Sequence, residues 1–255
     1  MTFILTEISE LDGIIMASDS SEIQHDGSTK EVNKTLFFNK LNIGISTWGY
    51  AEIAGKDIND WLTENVGAYM STLGEGNHTN EHLDDLARFL RRKLYDYHKN
   101  LSGKKKKEFV CGLHIAGYIR KGDVLLPAVD HVHNDNGDNT FVAQIPAINI
   151  TERGKGQTSH LRNGIYEEFA LFWHALYGLN TTFINTIIKN PKYGEAEGYD
   201  NVKLRAEVVG NWVKFMANSF KEAGRSRLIG KKINILVIQP EYHRKFIIPE
   251  MQEQN

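Results

Sequence analysis

Cysteine is nearly absent from this chain: Cys111 stands alone, so no intrachain disulfide can form, and a reducing, cytoplasmic setting is expected. Its surroundings, Phe109-Val110-Cys111-Gly112-Leu113, are apolar, which makes it a buried structural thiol rather than a reactive one. Charge of one sign is also lacking. Thirty basic residues face 32 acidic ones, a net charge of −2, which leaves no electrostatic footprint for nucleic acid or for an anionic membrane surface. No stretch approaches the roughly 18 consecutive apolar residues of a membrane span. The first residues lack the basic, apolar and small-residue succession of a signal peptide, so none is expected.

What is present suits a folded domain. An apolar share of 41% with 10% aromatics across 255 residues supports a sizeable core. No composition break, internal repeat or low-complexity tract divides the sequence, so residues 1–255 are expected to form one domain with a loose tail at about 251–255.

The residue that stands out chemically is Thr2. Removal of Met1 would give it a free α-amine, and an amine within reach of a hydroxyl proton activates an otherwise weak nucleophile. An unperturbed α-amine titrates near 7.7 to 8.0, so little tuning is required for it to act as a base.

Hydrophobic period sorts the rest of the chain. Phe3 to Ile8 and Ile14 to Ala17 read as a hairpin across Leu11-Asp12-Gly13, and Ser18 to Asn33 as a polar loop. Thr35 to Phe38 and Leu41 to Ser46 form a second pair. The period then lengthens to 3.6. Ala54, Ile58, Trp61, Leu62, Val66 and Tyr69 share one helical stripe, and Leu83, Leu86, Ala87, Leu90, Leu94 and Tyr97 another, with Asn80-Glu81 as a start signal.

Lys104 to Lys107 reads as the cationic end of that second helix rather than as a basic motif. Phe109 to Ile119 and Val124 to Val129 predict a further hairpin, and Phe141 to Ile150 a strand. Asn163 to Phe220 is predicted helical, interrupted near Pro191 and Gly194. Ile233 to Ile238 and Phe246 to Ile248 close the chain. Strands, helices, strands, helices, strands is not an alternating βαβ order; it suits antiparallel sheets covered by helices, an α+β class.

Other clusters are weaker. Asp130, His131, His133 and Asp135 carry metal-ligand side chains, yet no third defined ligand position follows the two histidines, so a polar loop is the better reading. Asp135-Asn136-Gly137-Asp138 is turn chemistry without the ordered ligands of a calcium loop. No metal and no cofactor is expected.

Thr2 opening a strand, Asp12-Gly13-Ile14-Ile15-Met16-Ala17-Ser18-Asp19-Ser20, Lys34 before Leu36-Phe37, and Ile43-Gly44-Ile45-Ser46-Thr47-Trp48-Gly49 together resemble the β-type subunits of the proteasome and their bacterial relatives, within the N-terminal nucleophile hydrolases. The likeness runs over residues 2 to about 70, and again over 108–130 and 230–248. It implies an αββα sandwich, two stacked antiparallel sheets with helices outside. It further implies Thr2 as nucleophile and base, Asp19 orienting the N-terminus, Lys34 beside the hydroxyl, and Gly49, or alternatively Trp48, offering a backbone N–H to an oxyanion. Read singly, Asp19 serves equally as a turn cap and Lys34 as a solvated residue at a strand start.

The resemblance also implies a homo-oligomeric ring or helix of rings acting on peptide or small amide bonds, as a threonine-type peptidase or amidohydrolase. Nothing in the pattern names an ATP-driven unfoldase partner. Departures exist as well. Ser226-Arg227-Leu228-Ile229-Gly230 stands where relatives carry Asp-x-x-Ser-Gly, Gly156-Gln157-Thr158-Ser159 only loosely matches their Gly-Ser-Gly, and Phe3 replaces a small residue. These leave two other readings open: a non-catalytic assembly subunit, and a hydrolase of small amides or γ-glutamyl compounds.

Overall fold

The computed structural model describes residues 3–9, 13–23, 29–74, 82–121, 124–134, 142–144, 158–164, 201–222, 232–240 and 243–248. The expected helical stripe at Ile165 to Leu176 and the motif at Ser226 to Gly230 lie outside these residues, as does Thr2.

Two five-stranded sheets form the body of the molecule. The first runs in the order β12 (Thr158–Gly164), β1 (Phe3–Ser9), β2 (Gly13–Asp19), β13 (Ile233–Ile238), β14 (His243–Ile248). The second runs β11 (Val142–Gln144), β10 (Val124–His133), β9 (Cys111–Lys121), β6 (Ile43–Gly49), β5 (Thr35–Phe38). Every pairing within them is antiparallel. Small two-stranded ribbons, β3 (Ser21–Ile23) with β4 (Thr29–Glu31) and β7 (Glu52–Ile53) with β8 (Lys56–Asp57), decorate the connections.

Alternation along each strand sends one set of side chains between the sheets and the other toward helices. Ile8, Ile14, Met16, Ala116, Tyr118, Val129, Leu236 and Ile238 cluster between the sheets. On the far side of the second sheet, Ile43, Ile45, Leu113 and Ile115 pack with Trp61, Leu62 and Val66 of α1 (Ile58–Thr72) and Leu86, Leu90 and Leu94 of α2 (Leu83–Asn100). On the far side of the first, Phe3, Leu5, Ile15 and Ala17 meet Ala206, Val209, Val213 and Met216 of α4 (Asn201–Glu222). Helix, sheet, sheet, helix is the order of layers, the predicted αββα sandwich. One buried ion pair, Arg205 Nε donating to Glu7 Oε1, crosses from α4 to the middle of β1.

Local differences from the sequence reading have identifiable causes. Asp57 caps α1 by accepting from Asn59 N–H at 2.9 Å, so Ala54, placed on the helical stripe, instead turns through a positive φ of 55° ahead of the helix. Asn42, at φ 51°, ends a 3-10 turn over Asn39–Leu41 and starts β6 at Ile43, two residues later than expected. The polar stretch read as a loop at Ser18 to Asn33 contains the end of β2 and the β3–β4 ribbon, held where Val32 N–H donates to Ser20 O at 2.9 Å. Lys104 to Lys107 belong to their own short helix, α3 (Gly103–Glu108), not to the end of α2. Asn163 and Gly164, expected to begin a helix, finish β12, whose polar sequence hides a strand that gains its hydrogen bonds from β1.

Candidate active site

Asp19 ends β2 and Phe3 begins β1, and antiparallel pairing brings these two ends together. The Phe3 N–H donates to Asp19 Oδ1 at 2.8 Å. Lys34 approaches from the second sheet, donating from Nζ to Oδ1 and Oδ2 of Asp19 at 3.0 Å each. Asp19 is fully buried and Lys34 is 5% exposed, so Lys34 is not a solvated residue and Asp19 is not a turn cap at a surface. A buried carboxylate is stable only when paired and hydrogen-bonded, and here one anion accepts from a cation and from the backbone at the head of β1.

The neighbourhood is fixed by further bonds. Thr47 N–H donates to Lys34 O at 2.9 Å, which ties the residue before β5 to the end of β6. Next to Asp19, Ser18 Oγ accepts from Thr35 Oγ1 at 3.0 Å, and Thr35 Oγ1 lies 2.8 Å from Ser46 Oγ. Those three buried hydroxyls join the two sheets beside the ion pair.

Gly49 closes β6 two residues beyond Thr47, at the same end of the sandwich, and is exposed. Its φ is +86°, and a Cβ there would lie 2.2 Å from Val110 O. Only glycine tolerates that backbone at this approach.

Asn163, not singled out from the sequence, also belongs here. It is in register with Ile4, one residue from the start of β1, and its Oδ1 lies 2.7 Å from His114 Nε2. Because a carboxamide oxygen can only accept, His114 Nε2 carries the proton, and Nδ1 accepts from the Thr6 hydroxyl at 3.0 Å. The candidate stretch at Gly156 to Ser159 is displaced: Thr158 and Ser159 pair with Ser9 and Ile8, and five residues of strand put Ile8 about 17 Å from Phe3. Antiparallel pairing sets the end of β12, not its beginning, against the head of β1. A polar residue followed by glycine, Asn163-Gly164, was the available signal.

The histidines read as a loop lie in β10. His131 is buried, its ring stacked on His133 at 4.1 Å and set edge-on to His114 at 5.1 Å. Burial pushes the His131 pKa down to about 2 and that of His114 to about 4, with the neighbouring histidines adding to the effect. Asp130 faces the opposite way, toward α2, where burial and then Asp84 raise its pKa to about 7, against the lowering influence of Arg88. Strand alternation therefore separates Asp130 from His131. Among the described residues, no group of three or more His, Cys, Asp and Glu is placed to hold a metal ion. Cys111 is fully buried, and desolvation raises its thiol pKa well above the ordinary value.

Among the described residues no helix is long and apolar enough to cross a membrane. No protein-family profile and no curated protein matches the sequence. The structure, however, is similar to that of the Gly-1 mutant of Anbu from Hyphomicrobium sp. strain MC1, with a TM-score of 0.54 and 13% identity over 99% of this chain and 89% of that one. With its helix, sheet, sheet, helix layers and 99% of its length superposed, the chain has the proteasome-like fold of Anbu.

Proposed function

We propose that the protein is a proteasome-like N-terminal threonine hydrolase that cleaves amide bonds within a self-assembled oligomer, with Thr2 as nucleophile once Met1 is removed. The observation that carries this reading is the single carboxylate of Asp19 accepting both the Phe3 N–H and the Lys34 ammonium. Phe3 is joined to Thr2 by one peptide bond, so the acid and the cation meet the strand end that directly follows the proposed nucleophile.

The chemistry follows from charge. An ammonium close to the terminal amine favours its neutral form, the form that accepts a proton from the hydroxyl. Asp19 keeps the two cations from repelling each other without relief, and holds the strand that presents the nucleophile. Attack on an amide carbonyl generates an oxyanion, for which a backbone N–H at Gly49 is the proposed donor. Assembly into a ring or a helix of rings belongs to the same proposal, in keeping with the fold shared with Anbu, and so does a cytoplasmic location, which rests on the lone Cys111.

Intact mass shows whether Met1 is absent. A β-lactone or boronate probe should then add once per chain and fail to add to Thr2→Ala, which should lose all turnover while assembling normally. Retained turnover in Thr2→Ala, or a Met1 that stays in place in active protein, overturns the reading. A processed chain that assembles but never reacts is the scaffold subunit instead.

A further inference from the structure

Between the sheets, β6, β9 and β10 contribute two adjacent cross-strand rows. Ser46, His114 and His131 are in register in one; Trp48, Gly112 and His133 are in register in the next, toward the end at which β6 closes with Gly49. His114 reaches Thr6 and Asn163 on the opposing sheet, and Ser46 connects to Ser18 through Thr35. This row therefore faces the inter-sheet space, and residues two positions along the same strands face it too. The indole of Trp48 lies over Gly112, where a Cβ would come within 2.4 Å of its ring, and its centroid is 6.0 Å from that of His131.

Among the polar atoms facing this space, Trp48 Nε1 and His131 Nε2 have no hydrogen-bond partner among the described residues. Their residues are 7% and 6% exposed. Leaving a buried polar group unsatisfied is costly, so these two, on rings 6.0 Å apart, mark a place suited to something polar. The indole nitrogen only donates. His131, kept neutral by burial, offers a lone pair on one nitrogen. A carboxylate matches poorly, because it accepts only and would require a protonated His131. A primary amide supplies what both atoms lack.

We propose that Trp48 and His131 form a substrate subsite for a primary carboxamide, the side chain of a glutamine or asparagine residue. Its oxygen accepts from Trp48 Nε1–H and its NH2 donates to His131 Nε2, in the tautomer with the ring proton on Nδ1. The subsite rests on the hydrolase reading for its role, since it names the substrate that the Thr2 site would receive. Its binding chemistry does not depend on turnover.

The test uses full-length, processed Thr2→Ala protein, labelled with 15N at tryptophan and assembled as it purifies. N-acetyl-glutamine N-methylamide, its glutamate counterpart and its norleucine counterpart, in which only the glutamine side chain carries a primary carboxamide, are titrated while the indole N–H resonances are followed. Trp48→Phe assigns the Trp48 signal. The glutamine compound should move that signal downfield, the glutamate and norleucine compounds should not, and His131→Phe should weaken the glutamine response roughly tenfold, as the loss of one hydrogen bond predicts.

Equal responses to all three compounds, or none, overturn the subsite. So does a Trp48 signal already shifted in free protein and unaltered by any ligand, which would mean that ordered water or the chain itself occupies the space. Because the Thr2→Ala background removes turnover, amide binding can hold while the hydrolase proposal fails, and the reverse result is equally visible in the active protein.

Discussion

Lys34→Met would leave the Asp19 carboxylate buried without its two bonds from the ammonium. The structure sets the size of the effect: both side chains are all but inaccessible, both Asp19 oxygens are 3.0 Å from the ammonium, and the Phe3 N–H donates to Oδ1 at 2.8 Å. Stripping one member from such a pair costs about 3–5 kcal/mol, largely because an uncompensated charge remains in a low-dielectric site. Urea unfolding at fixed protein concentration, followed by circular dichroism, should show the midpoint fall at unchanged slope. The companion change Asp19→Asn keeps an acceptor for Phe3 N–H while discharging the carboxyl. Combined with Lys34→Met it should recover part of the loss, giving a coupling energy on the order of 2 kcal/mol. Turnover should stay absent in the double variant, since the ammonium is gone. A Lys34→Met protein within about 0.5 kcal/mol of the wild type, the range of an ordinary surface change, with additive double-variant effects, would refute the assignment of this pair as the electrostatic centre of the site.

Acid should destabilise the histidine row. His114 and His131 have folded pKa values lowered to about 4 and about 2 from 6.5, so the unfolded state binds protons first and stability falls as pH drops below about 6.5, by up to about 1.4 kcal/mol per pH unit for each histidine. Asp130, raised to about 7 from 3.8, works in the opposite sense: the folded state binds its proton first, and stability rises as pH falls through that window. Asp130→Asn removes the opposing contribution, so its stability between pH 6.5 and 4 should decline more steeply than that of the wild type; an equal or shallower decline would show that the Asp130 carboxyl is not raised, and a flat Asp130→Asn profile would show the histidines to be solvated. Gly112→Ala should cost about 1–3 kcal/mol, the usual range for overpacking, because its methyl would enter the Trp48 ring. Pairing with Trp48→Leu should relieve most of that cost in the same unfolding assay.

Legibility followed hydrophobic patterning. β1, β2, β9, β13 and the stripes of α1, α2 and α4 carry continuous or periodic apolar residues, and each sits where that pattern directs it. Asp19 and Lys34 were found through their order relative to strands, and the fold brings them into direct contact. β12 escaped notice because Thr-Ser-His-Leu-Arg-Asn-Gly has the composition of a connector and becomes a strand only through pairing with β1. Asn163 was overlooked with it. The two histidines of β10 are hidden for a related reason: polarity reads locally as a loop, whereas a polar face between two sheets belongs to strands whose neighbours, such as Thr6 for His114 at a separation of 108 residues, lie far away in the chain. Tertiary hydrogen bonds of that range leave no local periodicity to detect.

The chain of hydroxyls from Ser18 through Thr35 to Ser46 has a mechanical consequence. Asp19 rides on one sheet and Lys34 leads into the other, so their separation is a gauge of how the two layers are seated. Sliding one layer against the other by even a fraction of a strand step would part the hydroxyls and the ions together. The acid and the ammonium thus keep their spacing by the same joint that stops the sandwich from shearing.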